Sequence, residues 1–150
     1  MEASWLEEIN NDRTGNMGKL KIKIDWCDNN YAAAPESATI ACIATGRTLT
    51  EVKTNLKEAL EFHRDGIIED HEDLPFELIG DIEFECNLTA RAILKHSDLF
   101  ISRKALATAS GINEQQLSHY ANGYRHAKPA TIRRIAAGIQ AISDELSMLS

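Results

Sequence analysis

The chain lacks most of the features that would place it outside the ordinary folded proteins. In 150 residues no apolar run approaches the roughly 18 needed to cross a bilayer, so no membrane partner is expected. Only three cysteines occur, Cys27, Cys42 and Cys86, with no Cys-x-x-Cys or Cys/His ligand spacing. That excludes a disulfide framework and a zinc site, and leaves small apolar side chains in a reducing compartment. Three prolines and eight glycines are too few for collagen or low-complexity sequence. The acidic start, Met1 to Glu8, has neither the basic residues nor the apolar stretch of a secretory signal, so a cytoplasmic location is expected.

Catalytic patterns are also missing. No phosphate-binding glycine loop, dinucleotide fingerprint or Ser/His/Asp arrangement is present, so neither an enzyme nor a cofactor is expected. A two-metal nuclease needs carboxylates that converge on its ions. Asp25 and Asp28 sit near a strand end and Glu51 opens a helix, but nothing pairs with Asp25 at a predictable distance. The run Glu69-Asp70-His71-Glu72-Asp73 matches no ligand template and reads as a solvated loop. His63, on an apolar helix face, reads as a packed edge residue. No metal site is expected.

What the chain does have is a division of charge. The net charge is −7. Residues 1–87 carry 8 Lys/Arg against 19 Asp/Glu, a net of −11, whereas residues 88–150 carry 8 against 4, a net of +4. This asymmetry points to two partners, a basic one for the front and a phosphate backbone for the back.

Residues 1–18 stand apart as an N-terminal extension whose order the residues leave open. Trp5, Leu6 and Ile9 share one face of a short helix that Asn10-Asn11-Asp12 and Gly15 would stop, and Met17 is an alternative start. From Lys19 the period becomes two: Leu20, Ile22, Ile24 and Trp26 alternate with Lys19, Lys21, Lys23 and Asp25, as in a half-buried strand. Asp28-Asn29-Asn30 suits a hairpin turn with positive φ, and Tyr31-Ala-Ala-Ala is a second strand. Residues 39–45, nearly all apolar or β-branched, predict a third and central strand.

Thr48 with Glu51 forms a capping box, and Leu49, Val52, Leu56, Ala59, Leu60 and His63 recur at helical spacing until Gly66. Ile82, Phe84 and Cys86 alternate with Glu83 and Glu85 in a last strand. Residues 19–87 therefore read as a β-β-β-α-β domain, one helix on a small antiparallel sheet.

Residues 88–150 change period completely. Helices are predicted at 89–97, 103–110, 114–121, 129–141 and 143–149, capped by Asn87 or Thr89, Ser102, Asn113 and Ser143, with Pro129 in a first turn. Leu106, Ile112, Leu117, Ile132, Ile135 and Ile139 are the predicted core. Within this bundle Ala107 is small where a helix must cross, Gly111 permits a tight turn and Ile112 plugs the corner. Leu117 and Tyr120 anchor the next helix from beneath, which is helix-turn-helix geometry.

That anchoring turns Glu114, Gln115, Gln116, Ser118 and His119 outward. Gln115, Gln116, Ser118 and His119 are the candidate base contacts, since amide, hydroxyl and imidazole groups bond base edges in the major groove. Arg103, Asn122, Arg125 and Lys128 are the candidate phosphate contacts, with His126 adding charge beside them. Glu114 is assigned to stabilising the helix end in preference to accepting from cytosine.

Two resemblances follow from these residues. Lys104-Ala-Leu-Ala-x-x-x-Gly-Ile, Leu117-Ser-x-Tyr-x-Asn-Gly and Thr131-Ile-Arg-Arg-Ile-Ala resemble the lambda-repressor-like, Xre-type helix-turn-helix family over about residues 89–146. The strand, the Asn-Asn-Tyr turn, Tyr31-Ala-Ala-Ala-Pro-Glu and the run from Cys42 to Leu60 resemble HicB-type antitoxins over residues 19–68. Here the turn segment between the second and third strands is a short Glu36-Ser37, and the 1–16 extension is unusual.

The resemblances imply an α+β chain, a partial ribonuclease-H-like domain followed by an all-α helix-turn-helix domain. They imply an antitoxin that covers a small basic HicA-type ribonuclease toxin and, as a homodimer or higher homo-oligomer, represses its own operon by binding operator DNA. The toxin-binding residues are left unassigned. The alternative is a free-standing regulator whose front domain senses a ligand or oligomerises.

Overall fold

A computed structural model describes residues 19–150, so the expected extension at 1–18 lies outside the described residues. The chain divides into two compact units between Asn87 and Leu88.

The first unit opens with β1 (Leu20–Cys27) and β2 (Asn30–Pro35), an antiparallel hairpin in which Trp26 pairs with Tyr31 and Cys27 with Asn30. Asp28 and Asn29 both take positive φ, 49° and 71°, the turn whose twist matches that of the flanking strands. Leu20, Ile22 and Ile24 are buried on one face while Lys21 and Lys23 are exposed on the other, as the alternation requires. The Trp26 and Tyr31 rings meet edge to face, their centroids 4.9 Å apart.

The third strand departs from expectation. β3 is only Ala44–Gly46, and it lies at an edge, because the sheet order is β3-β2-β1-β4. The apolar run that suggested a central strand is spent otherwise: Ile40 is buried ahead of β3, whereas Ile43 is 74% exposed. Cys42 is half-buried, and burial pushes its thiol above the ordinary value, which disfavours the reactive thiolate.

Helix α1 (Leu49–Glu69) covers the sheet with Val52, Leu56 and Leu60, all fully buried. Thr48 caps it as expected, accepting from the Glu51 amide at 3.0 Å. Gly46 admits the close approach of strand and helix, since a Cβ there would stand 2.5 Å from the Val52 nitrogen. Gly66 does not end the helix. It faces open space, costs the helix only its weak propensity, and the chain continues one further turn to Glu69.

A short 3-10 turn (Phe76–Leu78) follows the exposed loop 70–73. Arg64 ties this stretch back to α1 by donating from Nη1 to the Gly80 carbonyl at 2.7 Å. The last strand, β4 (Phe84–Leu88), starts two residues later than its pattern suggests. Ile82 is buried before it, and the Leu20 amide donates to the Glu83 carbonyl at 2.8 Å. β4 takes the edge beside β1, which makes the sheet mixed and not wholly antiparallel. The β-β-β-α-β order and the α+β class stand as expected.

The second unit is helical: α2 (Ala90–Ser97), α3 (Arg103–Ser110), α4 (Glu114–Ala121) and α5 (Pro129–Ser147). Its core is Ala90, Leu94, Leu106, Ile112, Leu117, Tyr120, Ala121 and Ile135, with Ile132 and Ile139 packed half-buried against it. Thr89, Ser102 and Asn113 each cap a helix by accepting from the amide three residues on, at 3.2, 3.1 and 2.9 Å. Ser143 does not cap. It lies inside α5, where its carbonyl accepts from Ser147 Oγ, so the two last predicted helices are one. Among the described residues no helix is long and apolar enough to cross a membrane.

Candidate nucleic-acid interface

Helices α3 and α4 are joined by Gly111, Ile112 and Asn113, and each residue has a physical task. Gly111 has φ +71°, a left-handed conformation that ends α3 with its amide bonded to the Ala107 carbonyl at 3.0 Å. Ile112 is buried beneath the corner, and Asn113 starts α4. From α5, Arg134 Nη2 donates to the Gly111 carbonyl at 2.9 Å, satisfying an acceptor at the end of α3. Gly138 lets α5 cross α3 closely, since a Cβ there would meet Ser110 Cβ at 2.9 Å and Ser110 backbone at 3.0 Å.

The residues proposed to face DNA fall into two groups. Glu114, Gln115 and Asn122 are exposed on α4 and its end. Gln116, Ser118 and His119 are half-buried, and each has a partner within the unit. Gln116 Nε2 donates to the Tyr120 hydroxyl at 3.0 Å, and Ser118 Oγ accepts from Arg103 Nη1 at 3.3 Å. The His119 ring meets Tyr124 edge to face, centroids 6.0 Å apart.

Arg103 is more committed than its position in the sequence suggests. Its guanidinium also pairs with Asp98, and its buried Nε has no partner among the described residues. Part of its charge is thus neutralised inside the unit. Arg125, His126 and Lys128 are exposed between α4 and α5, where they leave a cationic edge beside the helix.

Two more features mark the surface of this unit: Tyr124 was not anticipated, whereas an apolar pairing surface at Ile139, Ile142, Leu146 and Leu149 is expected from the sequence. Tyr124 is 76% exposed at the end of α4, a large ring given to solvent. An apolar groove of about 320 Å³ also lies in this unit, lined by Ile93, Phe100, Ile101, Ile139, Ile142 and Leu146 among others. The first was visible in sequence as a tyrosine after Asn122-Gly123, and the second as the apolar stripe of α5.

Asp25, weighed above as a carboxylate for metal chemistry, accepts from the Trp26 amide at 2.8 Å. Among the described residues no group of three or more His, Cys, Asp or Glu is placed to hold a metal ion.

Comparison with known proteins agrees with this geometry. The Helix-turn-helix family model matches residues 101–145. A stretch of 34 residues is 50% identical to an uncharacterized 14.9 kDa protein in the rep-hol intergenic region of Haemophilus phage HP1 (strain HP1c1). That match spans 23% of this chain and 26% of the phage protein. Residues 101–145 thus match, in sequence and in geometry, the helix-turn-helix domains by which transcription regulators bind DNA.

Proposed function

We propose that this chain is an antitoxin that represses its own operon. The helix-turn-helix unit reads an operator through α4, with Gln115, Gln116, Ser118 and His119 toward the bases and Arg103, Asn122, Arg125 and Lys128 toward the phosphates. The acidic front unit covers a small basic ribonuclease of the HicA type and blocks its active site by occlusion, steered by opposite charge. The reading rests on one combination above all, a DNA-reading helix with cations at its end joined to a unit of opposite net charge. The HicB-like sequence of residues 19–68 supports the toxin part.

One such helix reads few base pairs, so the chain acts as a homodimer or higher homo-oligomer with reading helices about 34–36 Å apart on one DNA face. The apolar groove beside α5 is the proposed pairing surface. Co-expression with a small basic protein encoded beside this gene tests the antitoxin role, growth being restored by the full chain. Operator binding without rescue would instead favour the free-standing regulator.

A further inference from the structure

Tyr124 owes its place to the way α4 ends. The Tyr124 amide donates to the His119 carbonyl at 2.9 Å and the Gly123 amide to the Tyr120 carbonyl at 3.2 Å. Gly123 is left-handed, φ +77°, and these two bonds together are a Schellman cap. A side chain at residue 123 would be strained there, and its Cβ would stand 2.7 Å from Arg91 Nη1. The backbone therefore delivers residue 124 to His119, which lies one turn along α4 from the exposed Gln115.

Such caps usually carry an apolar contact between these same two positions. Here that contact is the edge-to-face pair of His119 and Tyr124, and it covers little of Tyr124, a residue that stays 76% exposed. Tyr120 shows the contrast: it is 6% exposed and its hydroxyl accepts from Gln116. Capping explains where Tyr124 sits but not why a large ring is offered to solvent. Nor does Tyr124 belong to the apolar groove, whose lining comes from Leu88, α2, α5 and the α2–α3 connection. It touches a proposed base-reading imidazole and directly precedes the exposed Arg125 in the chain.

Resting on the operator reading above, we infer that Tyr124 is a specificity-determining residue whose ring covers a thymine 5-methyl group beside the base edge met by His119. The thymine methyl is the apolar feature of the major groove, and it is read by apolar contact.

The test uses the full chain and duplexes that it enriches from a randomised DNA library. Each thymine of the enriched duplex is replaced in turn by deoxyuridine, which removes only the methyl group. The parent should lose about fourfold in affinity at one position of each half-site, the effect of one buried methyl. Y124A should be insensitive there, and Y124F should behave as the parent. The scrambled duplex should bind parent and variants alike.

No methyl-sensitive thymine in the parent, a result needing no variant, would overturn the assignment. So would equal weakening of enriched and scrambled duplexes by Y124A, or a change in sedimentation with DNA binding intact. A parent that enriches no duplex would overturn the operator reading itself, and the role of Tyr124 with it.

Discussion

Arg103 on α3 donates from Nη1 to Ser118 Oγ on α4 across 3.3 Å, so a side-chain bond fastens the proposed reading helix to its scaffold. The same guanidinium pairs with Asp98, whose side chain is 39% exposed, which screens that pair. Ser118→Ala leaves a partly buried guanidinium short of an acceptor, its Nε being already unpartnered among the described residues. We expect a loss of about 1 kcal/mol, the net worth of one such bond. Chemical denaturation measures it, and a variant as stable as the parent would show that the contact carries no weight.

The crossing of α3 and α5 gives a second expectation. Gly138→Ala gains up to about 1 kcal/mol of helix propensity. It also forces a methyl group within 2.9–3.0 Å of Ser110, where backbone must move, at a cost of about 1–3 kcal/mol. The clash should win, lowering the thermal midpoint. A rise would mean that the two helices separate freely. Gly111→Ala should also destabilise, because its φ of +71° penalises any Cβ.

Much of this arrangement was legible in the sequence wherever a local rule had no rival. Thr48, Ser102 and Asn113 cap because a side-chain oxygen reaches the amide three residues on, a bond fixed by spacing alone. Ser143 has the same chemistry but stands where continuing the helix costs nothing, so it does not cap. Gly66 misled for the same reason. The place of β3 was not legible, because residues 39–45 are apolar without being buried alike: Ile40 is 3% exposed and Ile43 is 74%. In the proposed site, Gln115 stands on the exposed face its spacing gives it. The side-chain ties of Ser118 and Arg103 depend on two helices meeting, which periodicity does not encode.

Association should depend on the apolar stripe of α5. Leu146 is 57% exposed at the rim of the groove, and Ile142 lines it. Leu146→Glu should shift the chain toward monomer in sedimentation at micromolar concentration and weaken operator binding in step. A parent that is itself monomeric with and without DNA would contradict the pairing surface.

The cationic edge should act without regard to sequence. Replacing Arg125 or Lys128 with Ala should weaken all duplexes alike and reduce the slope of log affinity against log salt by about one per lost phosphate contact. Loss confined to one preferred duplex would assign these side chains to bases instead.

The central claim is that α4 reads base sequence, and the most direct test is fluorescence anisotropy of the full chain on an enriched duplex and a scrambled one. Gln115→Ala combined with His119→Ala should remove about 1–3 kcal/mol of discrimination per lost contact, with the circular dichroism spectrum unchanged. Affinity for the scrambled duplex should hardly move. A double variant that folds and still prefers the enriched duplex as strongly as the parent would contradict the account.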